Sequence, residues 1–318
     1  MSPRQPPATS HQPPATAKAR ILVLTGPTGS GKTDLGIELA RAFGAEIVNA
    51  DSRQVYRHLE VGSAKPTAEQ RADVPHHLVD VVEPDETFDA ARFRELAVAA
   101  IHDIVGRGRK VLVVGGTGLY IKVLRGGLFA GPQRDPELRA RLEAEEIATP
   151  GTLYRRLEEC DPEAAHKLHP NDRFRLIRAL EVYQLTGRPI SQWQAEHAFA
   201  AGEFELRTVA LDLPRNELYE RIDRRCREMV DAGLVDEVKR LYAAGFGPEL
   251  PALQSPGYRE VGEYLGGQYD LEEAIKRAAQ ATRQLAKRQL TWLRGDPLAI
   301  WRAAETGVLH GEADSFWR

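Results

Sequence analysis

The chain has 318 residues, in which 43 lysines and arginines stand against 46 aspartates and glutamates, for a formal net charge of -3. This balance excludes a uniformly cationic nucleic-acid binder, because such a protein needs an excess of lysine and arginine, but it allows a local basic face. A hydrophobic content of 42% predicts a buried core. The two cysteines, Cys160 and Cys226, are too few for a disulfide framework or a four-cysteine zinc site, so a reducing cytoplasm is the expected compartment.

The two ends of the chain differ from its body. Residues 1–19 are rich in proline, glutamine and threonine, lack the apolar block of a secretory signal, and are predicted to form a disordered tail. Residues 299–318 show no clear periodicity and are predicted to be a loose or weakly docked C-terminal extension. No apolar run approaches the roughly 20 residues that span a bilayer, so we expect a soluble protein without a membrane segment.

A glycine-rich loop links the first apolar run, residues 21–25, to an amphipathic stretch. Strand, glycine-rich loop and helix in this order are typical of a phosphate-binding loop, whose backbone N–H groups surround a diphosphate or triphosphate. Within it, Lys32 would add a positive charge and Thr33 would ligate Mg²⁺. The alternative, a glycine turn with a solvated lysine, does not account for the flanking elements. The loop residues are Gly26, Pro27, Thr28, Gly29, Ser30, Gly31, Lys32 and Thr33.

Strand-like apolar runs recur along the chain and alternate with helical patterns. Apolar residues at helical spacing predict a helix over residues 88–107. Alternating strands and helices indicate a parallel sheet with helices on both faces, so we predict an α/β fold with a P-loop NTPase-like core. Ligands of such sheets bind at the carboxyl ends of the strands. The further predicted strands cover residues 46–51, 77–82, 110–115 and 207–213.

A long helical stretch interrupts this core. Residues 135–199 show helical patterns without a strand signal, and they are broken at Pro150-Gly151, at Asp161-Pro162 and at residues 187–189. Because this stretch separates two predicted strands, we interpret it as a helical insertion. The predicted core then comprises residues 20–134 and 200–298.

Two further strand ends carry residues capable of chemistry, namely Asp51 and the Gly115-Gly116-Thr117 run. Asp51 would lie on the same rim as the phosphate loop, where it could accept a proton from a nucleophile. The alternative, that its carboxylate only caps a turn, fits the local sequence equally well. The second strand ends in glycines and not in the Mg²⁺-binding aspartate of many nucleotide hydrolases, which disfavours a motor-type ATPase, although Asp80 or Asp212 could substitute.

Two basic segments predict contacts with a phosphate backbone. Residues 276–294 contain six lysines and arginines and no acidic residue, whereas a solvated helix usually mixes both signs. In the insertion, Arg175 and Arg178 lie one turn apart on a helix predicted to begin at an Asn171 cap, and a solvated face is the alternative there. A one-signed helix in a chain of slightly negative net charge favours a face for nucleic acid.

These motifs together resemble the tRNA dimethylallyltransferases, also called tRNA isopentenyltransferases. Many unrelated enzymes share the phosphate loop alone, but the combination of motifs is specific to this family. The chain lacks the cysteines for the zinc finger that larger eukaryotic members look to carry, so it resembles the bacterial type. The matching blocks cover residues 26–33, 51–52, 54–56, 62–66, 114–117, 119–120, 169–172, 178–181, 257–258, 282–289 and 291–292.

The resemblance implies transfer of a dimethylallyl group from dimethylallyl diphosphate to N6 of adenosine 37 in tRNAs that read codons beginning with U, which gives N6-dimethylallyladenosine. The donor diphosphate would occupy the phosphate loop, with Mg²⁺ as the cofactor on Thr33 and a further contact from Arg225. Asp51 would be the general base, and Thr117 would lie where donor and acceptor meet. The adenine must leave its stack to enter such a site.

The resemblance also implies a face for the anticodon stem-loop, provided by the helical insertion and the basic segment, and a monomer suffices for it. Two other functions remain open: a small-metabolite kinase that binds ATP in the loop, and a nucleotide-gated RNA-binding protein. The insertion and the basic segment disfavour the first, and the rim at Asp51 and Thr117 disfavours the second. The residues expected to contact tRNA are Asp51, Ser52, Arg53, Gln54, Thr117, Arg139, Phe174, Arg175, Arg178, Gln254, Gly257, Tyr258, Arg259, Arg283, Gln284, Lys287, Arg288 and Gln289.

Overall fold

The structure is a computed structural model that describes residues 18–128, 131–197 and 202–318. Residues 1–17 of the predicted tail lie outside the described residues. The strands at the first, second, fourth and fifth predicted positions are confirmed, and a sixth is added. In chain order the strands are β1 (Arg20–Thr25), β2 (Ala45–Asn49), β3 (His76–His77), β4 (Lys110–Gly115), β5 (Glu205–Asp212) and β6 (Ala299–Ala303).

The helices include one at the predicted position 88–107 and a series within the predicted insertion. In chain order they are α1 (Lys32–Phe43), α2 (Ala68–Asp73), α3 (Ala90–Gly106), α4 (Gly118–Gly126), α5 (Pro136–Ala148), α6 (Thr152–Cys160), α7 (Pro162–Lys167), α8 (Arg173–Thr186), α9 (Ile190–His197), α10 (Arg215–Asp231), α11 (Leu234–Ala243), α12 (Tyr258–Leu265), α13 (Leu271–Arg294) and α14 (Thr306–Trp317).

The six strands form one parallel sheet in the order β3-β2-β4-β1-β5-β6. The central strands β1 and β4 are continuous apolar runs because helices cover both faces of the sheet. One face packs on α3 and α4, and the other packs on α1 and α14. The predicted fold class, a P-loop-like α/β core, is confirmed. Since all strands are parallel, the segments that follow β1, β2 and β4 emerge at the same edge.

The predicted strand over residues 77–82 is wrong beyond its first residue, because β3 contains only His76–His77. Leu78 and Asp80 have φ values of 63° and 56°, in the left-handed region, which no extended strand contains. Lys65 donates a hydrogen bond to Asp80 at 2.5 Å, and Arg71 donates another at 2.6 Å. These ion pairs hold the irregular backbone, and an apolar pattern does not report them.

The prediction of a loose C-terminal extension over residues 299–318 is also wrong. β6 pairs in parallel with β5, and α14 buries Leu309, Ala313 and Phe316 against the sheet and α1. These three side chains recur at helical spacing, but Gly307 before them and Gly311 between them weaken the helical pattern. The C-terminal segment therefore completes one face of the core.

The molecule divides into two compact units. One unit contains the chain up to Arg125 and from Glu203 onward, and the other is Gly126–Gly202, within which the predicted insertion 135–199 falls. The second unit has its own apolar core, in which Leu142 and Leu176 are buried. No helix of residues 18–128, 131–197 and 202–318 has the length and apolar character needed to cross a bilayer.

The helix of the insertion that carries the predicted arginine pair begins one residue later than expected. Its N-cap is Asp172, whose Oδ1 accepts a hydrogen bond from the backbone N–H of Arg175 at 3.3 Å, and not Asn171. The physical logic of the cap is unchanged, because an Asp side chain accepts this bond as well as an Asn side chain does.

Candidate active site

The phosphate loop turns directly from β1 into α1. Gly29 and Gly31 have φ values of 84° and 82°, which only glycine adopts without strain. Gly31 is the N-cap of α1 and has no side chain to satisfy the first helical N–H groups. Those N–H groups and the positive end of the helix are therefore available to an anion, as a phosphate-binding loop requires.

Two cations that form no ion pair with any described residue lie beside this loop. Burial lowers the pKa of Lys32 to about 8, although the negative charge of Asp51 raises it, and the positive charge of Arg225 lowers it further. Burial likewise lowers the pKa of Arg225. Both side chains line a small cavity of about 40 Å³ together with Thr33. Two desolvated cations on one cavity indicate a site for a multiply charged anion.

Asp51 lies two residues beyond the end of β2, on the rim of the same cavity. Its Oδ1 accepts a hydrogen bond from the backbone N–H of Arg53 at 2.8 Å, which is the turn-capping interaction considered for this residue. Its Oδ2 has no hydrogen-bond partner among the described residues. One oxygen thus fixes the side chain while the other stays available, so the two interpretations of Asp51 are compatible.

The Gly115–Thr117 loop is tied directly to the Asp51 loop. The Oγ1 of Thr117 accepts a hydrogen bond from the N–H of Ser52 at 3.1 Å, and the N–H of Thr117 donates to the carbonyl of Ala50 at 3.2 Å. A methyl group on Gly115 would lie 2.2 Å from the Ala50 backbone. Glycine is therefore required here because the ends of β2 and β4 approach closely.

A larger cavity of about 360 Å³ extends from these loops toward α10, α12 and α13. Its polar end contains Asp51, Thr117 and Arg225, with Thr28 and Gly29 of the phosphate loop. The remaining wall is largely apolar. The apolar lining side chains are Ala64, Ile222, Met229, Val230, Leu234, Pro256, Val261, Ala274, Ile275, Ala278 and Leu285. Sequence reasoning missed this wall, because apolar residues at helical spacing indicate a buried face without saying whether a cavity adjoins it.

Several of the predicted tRNA-contacting residues line the larger cavity. They are Asp51, Ser52, Arg53, Thr117, Gln254, Gly257, Arg288 and Gln289.

Two other residues of that predicted set are structural. The Tyr258 side chain is only 1% exposed, and its hydroxyl donates a hydrogen bond to Glu237 at 2.6 Å, so in this structure the side chain belongs to the core. Gln54 is also buried and donates from Nε2 to the carbonyls of Ser63 and Ala64.

Sequence reasoning missed Glu237, which organises the loop at residues 60–62. This carboxylate is 2% exposed and accepts hydrogen bonds from the N–H groups of Glu60, Val61 and Gly62 as well as from Tyr258. The available signal was its position, since it lies one turn after Leu234 on the apolar face of α11. An acidic residue on an apolar helix face indicates that its carboxylate is buried and accepts hydrogen bonds from nearby donors.

Fewer basic side chains of helix α13 are available to a phosphate backbone than its sequence predicts, because some of them pair with acidic residues. Arg277 pairs with Glu273, and Arg283 pairs with Asp223. Lys287 and Arg288 are exposed, and among the described residues they form no ion pair. Gln284 is exposed as well, and Arg259 pairs with the buried Glu260. The free positive charge of α13 is thus concentrated near its C-terminal end.

In the second unit, the predicted arginines divide between internal and exposed positions. Arg178 donates to the buried Glu181 at 2.6 Å, and Arg139 lies 3.9 Å from the same carboxylate. The Arg139 guanidinium also lies over the ring of Phe174, which is 64% exposed. Arg175 is exposed and 3.4 Å from the Asp172 carboxylate. This unit therefore presents an arginine-backed aromatic ring at its surface.

The fold and this site define a P-loop enzyme core with a cavity that joins a phosphate loop to a carboxylate and an apolar wall. Residues 54–296 match the IPP transferase family. A tRNA dimethylallyltransferase of Citrifermentans bemidjiense is 52% identical over 285 residues, which cover 89% of this chain and 92% of that protein. One from Anaeromyxobacter dehalogenans is 51% identical over 286 residues, 89% of this chain and 95% of that protein.

Two solved structures extend the comparison. The full-length tRNA isopentenylpyrophosphate transferase of Bacillus halodurans has a TM-score of 0.68 and 38% identity, with 94% of each chain covered. A eukaryotic dimethylallyltransferase acting on tRNA has a TM-score of 0.77 and 32% identity, over 90% of this chain and 74% of that chain. The chain belongs to the tRNA dimethylallyltransferase family and is a prenyl-transferring enzyme.

Proposed function

We propose that the protein transfers a dimethylallyl group from dimethylallyl diphosphate to N6 of adenosine 37 in tRNAs that read codons beginning with U, which yields N6-dimethylallyladenosine. The observation that carries this proposal is the larger cavity, where Asp51, Thr117 and Arg225 meet the phosphate loop beside an apolar wall. A diphosphate fits the cationic end, and a five-carbon prenyl group fits the apolar side. The family assignment supports the same reaction and a cytoplasmic tRNA substrate.

In the proposed reaction the lone pair of the N6 amine attacks C1 of the dimethylallyl group while the C1–O bond to diphosphate breaks. The released electron pair stays on the diphosphate, whose charge Lys32, Arg225 and the N–H groups at the start of α1 would stabilise. The amine proton passes to the Oδ2 of Asp51, which has no other partner in the described chain. Thr117 would position the acceptor beside it.

The residues present fit a Mg²⁺ ion that is bound mainly through the substrate. The described residues contain no cluster of three or more His, Cys, Asp or Glu side chains, so they supply no complete protein cage. Mg²⁺ usually keeps several waters and takes one or two protein oxygens plus substrate phosphates, and the Thr33 hydroxyl on the small cavity is such an oxygen. When bound, Mg²⁺ would neutralise charge on the leaving diphosphate.

The test is a mass measurement on RNA. Unmodified anticodon stem-loop RNA is incubated with the protein, Mg²⁺ and either dimethylallyl diphosphate or ATP. We expect one dimethylallyl adduct per RNA with the first donor and no adduct with ATP. An absence of prenylated RNA would overturn the proposed function, and phosphorylated RNA or a phosphorylated small molecule would favour the kinase.

Asp51→Asn tests the role of the base. An asparagine Oδ1 still accepts the bond from the Arg53 N–H, so the loop keeps its geometry while the base is lost. We expect turnover to fall by about 10²- to 10⁴-fold with little change in RNA affinity. Asp85→Asn, at an exposed position outside both cavities, is the matched control and should keep full activity. A parallel collapse of RNA binding in Asp51→Asn would contradict the assigned role.

A further inference from the structure

The side chain of Gln289 bridges two loops of the active site. Its Oε1 accepts a hydrogen bond from the backbone N–H of Thr28 at 2.8 Å, and its Nε2 donates to the carbonyl oxygen of Gly116 at 3.1 Å. A single amide therefore joins the phosphate loop to the Gly115–Thr117 loop. Both lengths are normal for strong N–H···O bonds, and the donor and acceptor groups of the amide are both used.

The helix that carries Gln289 is fitted closely to the same loop. A methyl group on Gly116 would lie 2.5 Å from the Gln289 Nε2, and one on Gly118 would lie 2.2 Å from the ring of Trp292. Gln289 and Trp292 are three residues apart and share one face of α13. These glycines are therefore needed for the approach of α13, and this approach fixes the position of the Gln289 amide.

The Gln289 bridge sets the distance between the phosphate loop and the loops that hold Asp51 and Thr117. Thr28 lines both cavities on the diphosphate side. Gly116 precedes Thr117, whose Oγ1 is bonded to the N–H of Ser52, next to Asp51. A shift of α13 would thus move the phosphate loop relative to the loops that hold the base.

The two residues before Gln289 on α13 are positively charged, and one of them, Arg288, also lines the larger cavity. Lys287 and Arg288 directly precede Gln289, are exposed, and lack an ion-pair partner in the described part of the chain. A phosphate backbone that docks on this end of α13 fixes the helix from which Gln289 projects. These exposed charges therefore lie one and two residues before the side chain that bonds to the phosphate loop.

We propose that Gln289 is a positioning residue that couples RNA binding on α13 to diphosphate binding in the phosphate loop. The inference rests on the proposed function and adds to it an energetic link between the two substrate sites. RNA that fixes α13 holds the phosphate loop in one geometry, so a diphosphate binds more tightly. Linkage makes the effect reciprocal, because diphosphate must strengthen RNA binding by the same factor.

This coupling is measured by isothermal titration calorimetry. Inorganic diphosphate is titrated into the protein in a buffer that contains Mg²⁺, with and without unmodified anticodon stem-loop RNA. We expect RNA to tighten diphosphate binding in the wild-type protein by about the 5- to 150-fold typical of coupled sites. Gln289→Met keeps the length of the side chain but removes both hydrogen bonds. In this variant we expect the RNA effect to fall below about twofold.

Gln280→Met is the matched control, since Gln280 lies exposed on the same helix, outside the residues expected to contact tRNA, and its side chain forms no hydrogen bond with any described residue. It should keep the wild-type coupling. If Gln289→Met does not fold, Gln289→Glu replaces it, because the carboxylate still accepts from the Thr28 N–H but cannot donate to Gly116. We expect a reduced RNA effect there as well.

The outcomes separate the inference from the proposed function. Wild-type coupling in the Gln289 variants overturns the inference, and so does a variant whose diphosphate affinity falls equally with and without RNA, which would show a merely structural role. Independent binding of RNA and diphosphate to a wild-type protein that prenylates RNA overturns the inference alone. A wild-type protein that binds neither ligand overturns the proposed function itself.

Discussion

Some lysines in the described part of this molecule are held by ion pairs and others are not. This difference distinguishes a lysine that stabilises the fold from one that is available to a ligand. Lys65 belongs to a block shared with the family, yet its ammonium is buried and donates to the Tyr56 carbonyl, to Glu60 and to Asp80. Among the described residues, the Lys32 ammonium makes only one long hydrogen bond of 3.4 Å, to the Pro27 carbonyl. A desolvated charge without a hydrogen-bonded ion-pair partner is costly, so its retention indicates an anionic ligand.

We expect the affinity for inorganic diphosphate to weaken as the pH rises through about 8, the lowered pKa of Lys32 in the free protein. The ammonium is charged below this pKa and loses its proton above it. Diphosphate favours the charged form, so binding is strongest below pH 8 and weakens by up to about tenfold per pH unit above it. Titration calorimetry between pH 7 and pH 9.5, in buffers of different ionisation enthalpy, measures both the affinity and the proton taken up.

Lys32→Arg is the control for this pH dependence. A guanidinium stays charged throughout the range, so the variant should bind diphosphate with a nearly flat pH profile even if its absolute affinity is lower. An unchanged slope in Lys32→Arg would assign the titration to another group.

At the scale of elements, the charge pattern along a helix predicts less well than its ion pairs which basic residues are available to bind RNA. Residues 276–294 of α13 include six positive residues and no acid, but the acids that pair with two of the six lie outside this segment. Glu273 precedes it on the same helix, and Asp223 lies on α10. A sequence pattern reports neighbours along the chain and not those across a helix contact. Among the described residues the other four, Lys276, Lys287, Arg288 and Arg294, form no ion pair, and of these Lys287 and Arg288 lie next to Gln289.

Replacing Lys287 and Arg288 with alanine should therefore weaken stem-loop binding and reduce its salt dependence. Each lost phosphate contact lowers the slope of log K against log salt by about 0.7 to 0.9, so the double variant should be shallower by about 1.5. Fluorescence anisotropy across a salt series measures this slope. A double variant of Arg224 and Arg277, which pair with acids on their own helices, should leave it nearly unchanged. Equal changes in both variants would contradict the distinction.

At the scale of the whole molecule, periodicity predicted what depends on local sequence. Continuous apolar runs predicted four strands, because a strand buried on both faces is apolar throughout, and helical spacing predicted the insertion. Periodicity gave a wrong prediction at Asp80, where ion pairs hold a left-handed backbone. It also missed α14, whose glycines weaken the helical pattern of a face that packs on the sheet. Asp51, Thr117 and the phosphate loop were predictable from position, whereas Glu237 and the Gln289 bridge depend on contacts between distant segments.

The two compact units have separate apolar cores, and this predicts how a ligand changes their stability. Inorganic diphosphate at about 100 times its Kd stabilises the unit that contains its site by about 2.7 kcal/mol, which slows globally exchanging amides there by about 100-fold. Residues 126–202 should exchange at an unchanged rate. Hydrogen–deuterium exchange with peptide mass spectrometry measures both units in one sample.

Lys32→Ala with the same diphosphate concentration is the control, and it should show little protection anywhere because the phosphate loop has lost its charge. Slowed exchange confined to peptides of β1, α1 and the sheet would support separate unfolding of the two units. Equal slowing within α5 to α9 would instead show that the insertion unfolds only together with the core, so that its own buried leucines do not suffice to hold it folded.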